Sequence, residues 1–132
     1  MQLFDYESVH RLWTATPGMG LSAADSREGI GILLDRNPGL SLVAESEGRL
    51  AGSLLLSHDG RRGFLHHLAV AAEFRGRGLG RQLVEVSLEQ FRVIGLKRCN
   101  LLVFADNVEG RRFWKHLGFR ERSELLMVSR DL

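Results

Sequence analysis

Six consecutive residues, Arg75-Gly76-Arg77-Gly78-Leu79-Gly80, carry the clearest chemistry in the chain. Glycines at alternating positions let a backbone bend tightly and turn its amide hydrogens outward. Arg75 and Arg77, with Arg81 just beyond, add charge-assisted donors. A helix beginning at such a loop points the positive end of its dipole into the same space. These are the parts of an anion site, and a pyrophosphate is the anion they suit best. Lys97 and Lys115 are the only lysines, so the basic residues are nearly all arginine, the side chain suited to planar, bidentate phosphate contacts.

Other reactive side chains lie near that loop in sequence. His66 and His67 are adjacent, and regular strand alternation would send them to opposite faces, one of them toward a cleft. Histidine titrates near neutral pH and suits a general base. His66 is the first candidate, with Glu73 second and His58 also near. Cys99 is the sole cysteine, so no intrachain disulfide can form, and its apolar surroundings read as core. No metal site is expected.

The elements that must position these groups follow from periodicity and turn signals. Tyr6–Thr14 reads as a short helix with Val9, Leu12 and Trp13 inward, and a Gly-rich loop spans Thr16–Ala24. Asp25 or Ser26 can cap a second helix that runs to about Arg36. Leu40–Glu45 and Arg49–Ser57 form a hairpin about Glu47-Gly48. Asp59-Gly60 signals a turn, and Gly63–Val70 is a third strand. A long helix spans Gly78 to Ile94, with Leu79, Leu83, Val86, Phe91 and Ile94 inward, and Gly95 ends it. Asn100–Phe104 is a buried strand, and Asn107–Leu117 is a helix stopped by Gly118. Phe119–Arg130 returns as one or two closing strands, which would offer an edge for a homodimer. Only Gln2–Asp5 remain for a strand before the first helix. The order α-α-β-β-β-α-β-α-β describes a mixed α/β domain.

The chain's 132 residues suit one domain over 1–132, and 44% apolar with 26% charged residues excludes a disordered chain. The net charge of +2, without a basic stripe interleaved with aromatics, argues against a nucleic-acid binder. Met1–Val9 carries acids and no long apolar run, so neither a signal peptide nor a membrane span is expected, and a cytoplasmic protein follows. A dinucleotide-binding loop would need an acid about twenty residues farther on. Lys97 and Arg98 stand there instead. A Walker-type loop would need Gly-Lys-Ser/Thr, which is absent.

Leu68-Ala69-Val70 followed by Arg75-x-x-Gly78-x-Gly80 resembles the acetyl-CoA signature of the GNAT superfamily of N-acetyltransferases. Asn107-x-x-Gly110-x-x-Phe113-Trp114-x-x-Leu117-Gly118-Phe119 resembles that family's second motif, at a similar spacing. More loosely, the chain is similar to bacterial GNAT proteins of the YpeA type. The resemblance implies a mixed, mostly antiparallel central sheet flanked by helices, with the fourth and fifth strands of the family splayed around a bulge. It implies acetyl-CoA as cofactor, with the backbone of Leu68 and Val70 along the pantetheine arm. The amides from Gly76 to Arg81 would hold the pyrophosphate, and Asn107 would touch the cofactor.

The reaction so implied is direct attack of a primary amine, on a small molecule or a protein, on the acetyl thioester. The Leu68 amide is the expected oxyanion donor. A histidine at the position of His66 resembles one that serves as base in some family members. Trp114 stands where the family usually has an acidic tyrosine, and an indole N–H is no usable acid. Trp114 is therefore expected to pack or to contact pantetheine, and water to protonate the thiolate. Tyr6, the sole tyrosine, is the remaining acid to weigh. Trp13, Met19, Leu21 and Asp25, with His58 and Asp59, are candidates for the acceptor pocket. Asp25 or Asp59 would attract a cationic amine, or serve only as a cap or turn residue. A non-catalytic acyl-CoA-binding module is the alternative that the missing tyrosine favours.

Overall fold

The computed structural model describes residues 1–132. They divide into two compact units, Met1–Leu102 and Val103–Leu132.

The first unit begins with a 3-10 turn at Leu3–Asp5, with no strand formed in the few residues that precede the first helix, and continues into α1, Tyr6–Thr14. Val9 and Trp13, four apart on one helix face, are buried. A second 3-10 turn, Ala23–Asp25, leads into α2, Arg27–Arg36. The cap of α2 is Ser26, whose hydroxyl accepts from the Gly29 amide. Asp25 closes the turn before it with a reciprocal capping box to Ser22.

Three strands follow: β1, Leu42–Ser46; β2, Arg49–His58; and β3, Gly63–Val70. Both pairs are antiparallel. Glu47 and Gly48 turn the first hairpin, both at positive φ, the geometry that favours tight two-residue loops. After α3, Leu79–Val93, the chain enters β4, Cys99–Leu101, which pairs parallel with β3. The sheet order is β1-β2-β3-β4, mixed and mostly antiparallel.

Each face of the sheet has its own cover. On one face Leu55 and Ala69 pack with Tyr6, Val9, Trp13 and Ile30 of α1 and α2. On the other lies α3: a Cβ on Gly52 would meet Leu79 and Leu83, and one on Gly63 would lie 2.6 Å from the Phe91 ring. The expected inward stripe of α3 is corrected in phase. Leu83 and Phe91 are buried, but Val84 and Ser87 complete the stripe, while Val86 and Ile94 are exposed. Ser87 fits because its hydroxyl donates to the Leu83 carbonyl one turn back, which hides a polar residue on an apolar face.

β4 is shorter than the expected Asn100–Phe104. Its ladder with β3 ends at Leu101, and Leu102 and Phe104 are exposed.

The second unit holds α4, Val108–His116. Gly118 at φ 88° ends it: the Gly118 amide returns to Lys115 and the Phe119 amide to Trp114, the double closure of a glycine C-cap. Arg111 grips Glu121 with two guanidinium nitrogens, at 2.7 and 2.9 Å. The expected closing strands over Phe119–Arg130 are absent. Leu125–Val128 is apolar and of strand character, but it has no ladder partner and stays exposed.

Candidate functional site

The glycine loop is built as an open cradle. Ala72–Phe74 forms a 3-10 turn after β3, and Gly76 and Gly78 take φ values of 74° and 81°. A Cβ at either would meet nothing within 4 Å. The backbone conformation therefore demands glycine, while the space in front stays clear for a ligand. Gly78 is the N-cap of α3 and offers no side chain, so the first amides of the helix, Leu79, Gly80 and Arg81, have no side-chain cap. No acid stands in that first turn. Fifteen residues of helix thus point an uncapped N-terminus outward.

The arginines differ in their commitments. Arg75 donates Nε to the Val70 carbonyl at 2.9 Å, which leaves its terminal nitrogens without a protein partner and ties the loop to the end of β3. Arg77 lies over the Phe74 ring, with Arg49 over the same ring. Arg81 pairs with Glu85 one turn along the helix, in an exposed ion pair of the weak kind.

Upstream of the loop, β3 separates from its neighbour. β4 pairs only with Gly63, Phe64 and Leu65, so the outer edge of β3 from His66 to Val70 has no strand partner. On its inner side β3 is bulged. Leu55 faces His66 and Ser53 faces Ala69, so His67 and Leu68 both stand opposite Leu54. His67 takes φ 51°, a left-handed conformation that costs a non-glycine residue about 1–3 kcal/mol. The expectation that His66 and His67 point to opposite faces is corrected here. The extra residue puts both imidazoles on the face that α1 and α2 cover.

Their surroundings differ. His66 shares a 2.9 Å hydrogen bond with the Ser57 hydroxyl and stacks on Phe64. Burial disfavours its charged form and, with His67 adding to the effect, holds its pKa below the ordinary histidine value, against a raising influence of Asp25. His67 places Nε2 2.6 Å from Asp25 Oδ1 and its ring 4.9 Å from that of Trp13. The other Asp25 oxygen accepts from the Ser22 amide at 2.8 Å. Sequence reasoning passed over His67 as base because the bulge that turns it inward has no one-residue signature in β3.

A model of the Acetyltransferase (GNAT) family matches residues 6–119. The chain belongs to this family. An acetyltransferase of Sodalis glossinidius is 29% identical over 97% of this chain and 89% of its own length. Ard1 from Thermoplasma volcanium is similar in structure, with TM-score 0.82 and 25% identity over 93% of this chain and 81% of that one. The PaiA N-acetyltransferase from Thermoplasma acidophilum, solved in complex with coenzyme A, shares the fold at TM-score 0.78 and 20% identity, covering 91% of this chain and 86% of its own.

As a GNAT acetyltransferase the chain has a mixed sheet with the expected splay, here between β3 and β4. Its remaining nominated residues are placed as follows. Trp13 has no exposed surface, and its indole N–H donates to Ser53 at 3.0 Å. It is the floor beneath His67 and cannot wall an acceptor pocket, because no face of the ring meets solvent. Tyr6 is buried and donates to the Asp25 carbonyl at 2.8 Å, so its hydroxyl proton is engaged within the core. Asp59 is spent on its own turn: it accepts from the Arg61 and Arg62 amides, which lower its pKa to about 2. His58 is likewise local, its Nδ1 accepting from the Gly60 amide. Glu73 is exposed beside Arg49 at 3.7 Å, an ion pair and no sheltered base.

In the second unit Asn107 caps α4, its Oδ1 accepting from the Gly110 amide at 2.9 Å. A Cβ on Gly110 would lie 2.6 Å from the Asn107 side chain, which explains why the family-like pair Asn107-x-x-Gly110 goes together. Trp114 packs edge-on against Phe113 and Phe119, at 5.1 and 5.2 Å between centroids. Cys99 is half-buried and burial pushes its thiol up, away from reactivity. No helix of the chain is long and apolar enough to cross a membrane.

Proposed function

We propose that this GNAT chain transfers acetyl from acetyl-CoA to a primary amine, on a small molecule or a protein, by direct attack. One observation carries the reading. The unpartnered edge of β3 beyond Leu65 runs into the Gly76–Gly78 turn and the uncapped start of α3. A pantetheine arm needs a strip of free backbone, and a pyrophosphate needs converging N–H groups. Here the strip and the cradle are continuous. Leu68, Ala69 and Val70 would take the arm, and the amides from Gly76 through Arg77, Gly78, Leu79 and Gly80 to Arg81 the diphosphate. Arg75 and Arg77 would close over it. For Asn107 and Trp114 a cofactor contact rests on the motif alone. The family match crosses both compact units, which supports one domain of this family over 1–132.

Bound acetyl-CoA would supply a thioester carbonyl. The chain then has three tasks: to hold the carbonyl oxygen as charge develops, to receive the amine's proton, and to keep the amine in line. The Leu68 amide, at the bulge, would serve the first. Positioned donors of this kind are commonly worth about 3–4 kcal/mol. The thiolate would leave without a side-chain acid, since a tryptophan stands at the motif position and an indole N–H is no usable acid, and water would supply its proton.

The test is a thermal melt with and without acetyl-CoA, followed by free-thiol release across a panel of amines and peptides. Stabilisation plus thiol release from an acceptor supports the reading. Stabilisation with no release from any acceptor assigns a binding module, the outcome that the tryptophan favours. No stabilisation at saturating acetyl-CoA removes the cofactor.

A further inference from the structure

We propose that His67 and Asp25 together form the base that takes the acceptor amine's proton. The proposal rests on the acetyl-transfer reading and adds a pair that its sequence motifs do not mark.

An ionised carboxylate only accepts hydrogen bonds, so the 2.6 Å contact to Asp25 places the proton on His67 Nε2. The neutral ring then carries its lone pair on Nδ1. That nitrogen makes no hydrogen bond with the protein and is not among its sealed polar atoms. The side chains of His67 and Asp25 are 18% and 11% exposed, so the pair is sheltered but open at one end. A proton arriving at Nδ1 would create a positive ring whose far side lies against a carboxylate. His66 has no such partner: its Nε2 meets a hydroxyl, and burial opposes its charging.

Position supports the pair as strongly as chemistry does. His67 precedes Leu68 in the bulge, so base and proposed oxyanion donor come from consecutive residues. An amine in line with the thioester carbon, about 3–3.5 Å away, lies next to both. The pair is also over-determined. Tyr6 holds the Asp25 carbonyl, Ser22 holds its second oxygen, Trp13 lies against the His67 ring, and Gly29 brings α2 against the turn so closely that a Cβ there would sit 2.2 Å from the Ala24 oxygen. The titratable groups near the pair are Tyr6 and His10 of α1, whose tilted rings lie 5.3 Å apart, and His66 of β3, with Arg27 over the Tyr6 ring. A left-handed, strained histidine so firmly held is a feature to be expected of a working site.

The step balances as follows. The amine lone pair forms the N–C bond while the C–S bond breaks and the thiolate leaves with the electron pair. The proton lost by the nitrogen goes to His67 Nδ1 and on to water, and the thiolate takes a proton from water. Asp25 stays ionised throughout and acts as a positioning residue.

His67→Asn is the decisive variant, because asparagine tolerates the left-handed conformation and so preserves the bulge. Acetyl-CoA should still raise its melting temperature as in the wild type, while kcat/KM for the acceptor falls about 100-fold at neutral pH. The fall should shrink at alkaline pH, where the amine is already unprotonated. His67→Asn should also lose the acid limb of the kcat/KM profile against pH, and Asp25→Asn should weaken that limb. A readout without turnover is the imidazole NMR spectrum: a downfield Nε2 proton present in the wild type and missing in Asp25→Asn, with Nδ1 of His67 shifting on acetyl-CoA addition more than the rings of His10, His58 and His116. An unchanged pH profile in His67→Asn, loss of the limb in His66→Gln instead, or no His67 shift on binding would each overturn the pair as base. Failure of acetyl-CoA to stabilise the wild type overturns the acetyl-transfer reading itself, and is seen before any histidine is changed.

Discussion

The glycine loop and the His67 bulge sit at neighbouring points of one strand-loop-helix stretch, yet they are made in opposite ways. The loop is backbone chemistry: Gly76, Gly78 and the first amides of α3 form the open cradle, within six residues, on the surface. The bulge is side-chain chemistry assembled across the fold. His67 meets Asp25, 42 residues away, and Trp13 beneath it meets Ser53, 40 residues away, both pairs largely out of water. A site of the first kind can be altered at smaller cost to stability. A site of the second kind is part of the core, and its geometry is only as firm as the packing around it.

That contrast can be broken experimentally. The largest effect should come from Trp13→Ala, which empties a fully buried site. A loss of about 3–5 kcal/mol is expected, seen as a lower urea midpoint with an unchanged m-value. A variant as stable as the wild type would show that the floor of the bulge is not core. Next comes Gly78→Glu, which sets bulk and negative charge where the diphosphate would lie. The ligand-dependent stabilisation, about 2.7 kcal/mol at a hundredfold excess over Kd, should vanish in a melt with acetyl-CoA. The free form should lose only about 1–2 kcal/mol, from the left-handed backbone. Equal damage with and without ligand would erase the distinction between the regions.

Smaller changes sharpen it. Ser26→Ala removes the cap of α2 just after Asp25 and should cost about 1 kcal/mol by chemical denaturation. It should also slow acetyl transfer while leaving acetyl-CoA binding alone, since the cap steadies the carboxylate and not the loop. The least effect belongs to Asp59. Its folded pKa of about 2 lies below the ordinary carboxylate range, so the unfolded chain binds the proton more readily. Its contribution is present above pH 4 and fades as pH falls through about 2. Asp59→Asn should be slightly less stable than the wild type at neutral pH, with a flatter stability curve in that window and the two proteins converging below about pH 2 in acid denaturation. A change in acceptor KM would instead return Asp59 to the binding surface.

The same contrast explains what could be read from the sequence. Tyr6–Thr14 and Gly63–Val70 match their observed limits, because spacing of apolar residues and flanking turn signals decide them locally. The glycine loop was legible for the same reason. Asp25 was nominated, but as an attractor of the amine or a cap; that it also holds a histidine from β3 depends on contacts no local pattern encodes. The phase of α3 was misread because Ser87 looks polar until its hydroxyl is seen bonded within the helix. Leu125–Val128 has the residues of a strand, but strand pairing is a non-local contact that apolar composition alone does not supply, and the sheet holds only β1 to β4.

The extra residue at His67 also resets the count along β3. Before it, odd positions such as Gly63 and Leu65 belong to the side of α3; after it, the odd Ala69 belongs to the side of α1. The strand works as a gear with one added tooth. Deleting a single residue between Phe64 and Leu68 would leave the strand long enough to pair but out of phase with one of its two coverings. Either the half that feeds the glycine loop or the half that anchors β4 would then turn its apolar side to water. The position of the bulge is therefore fixed by both layers at once, which leaves little freedom to move the base along the strand.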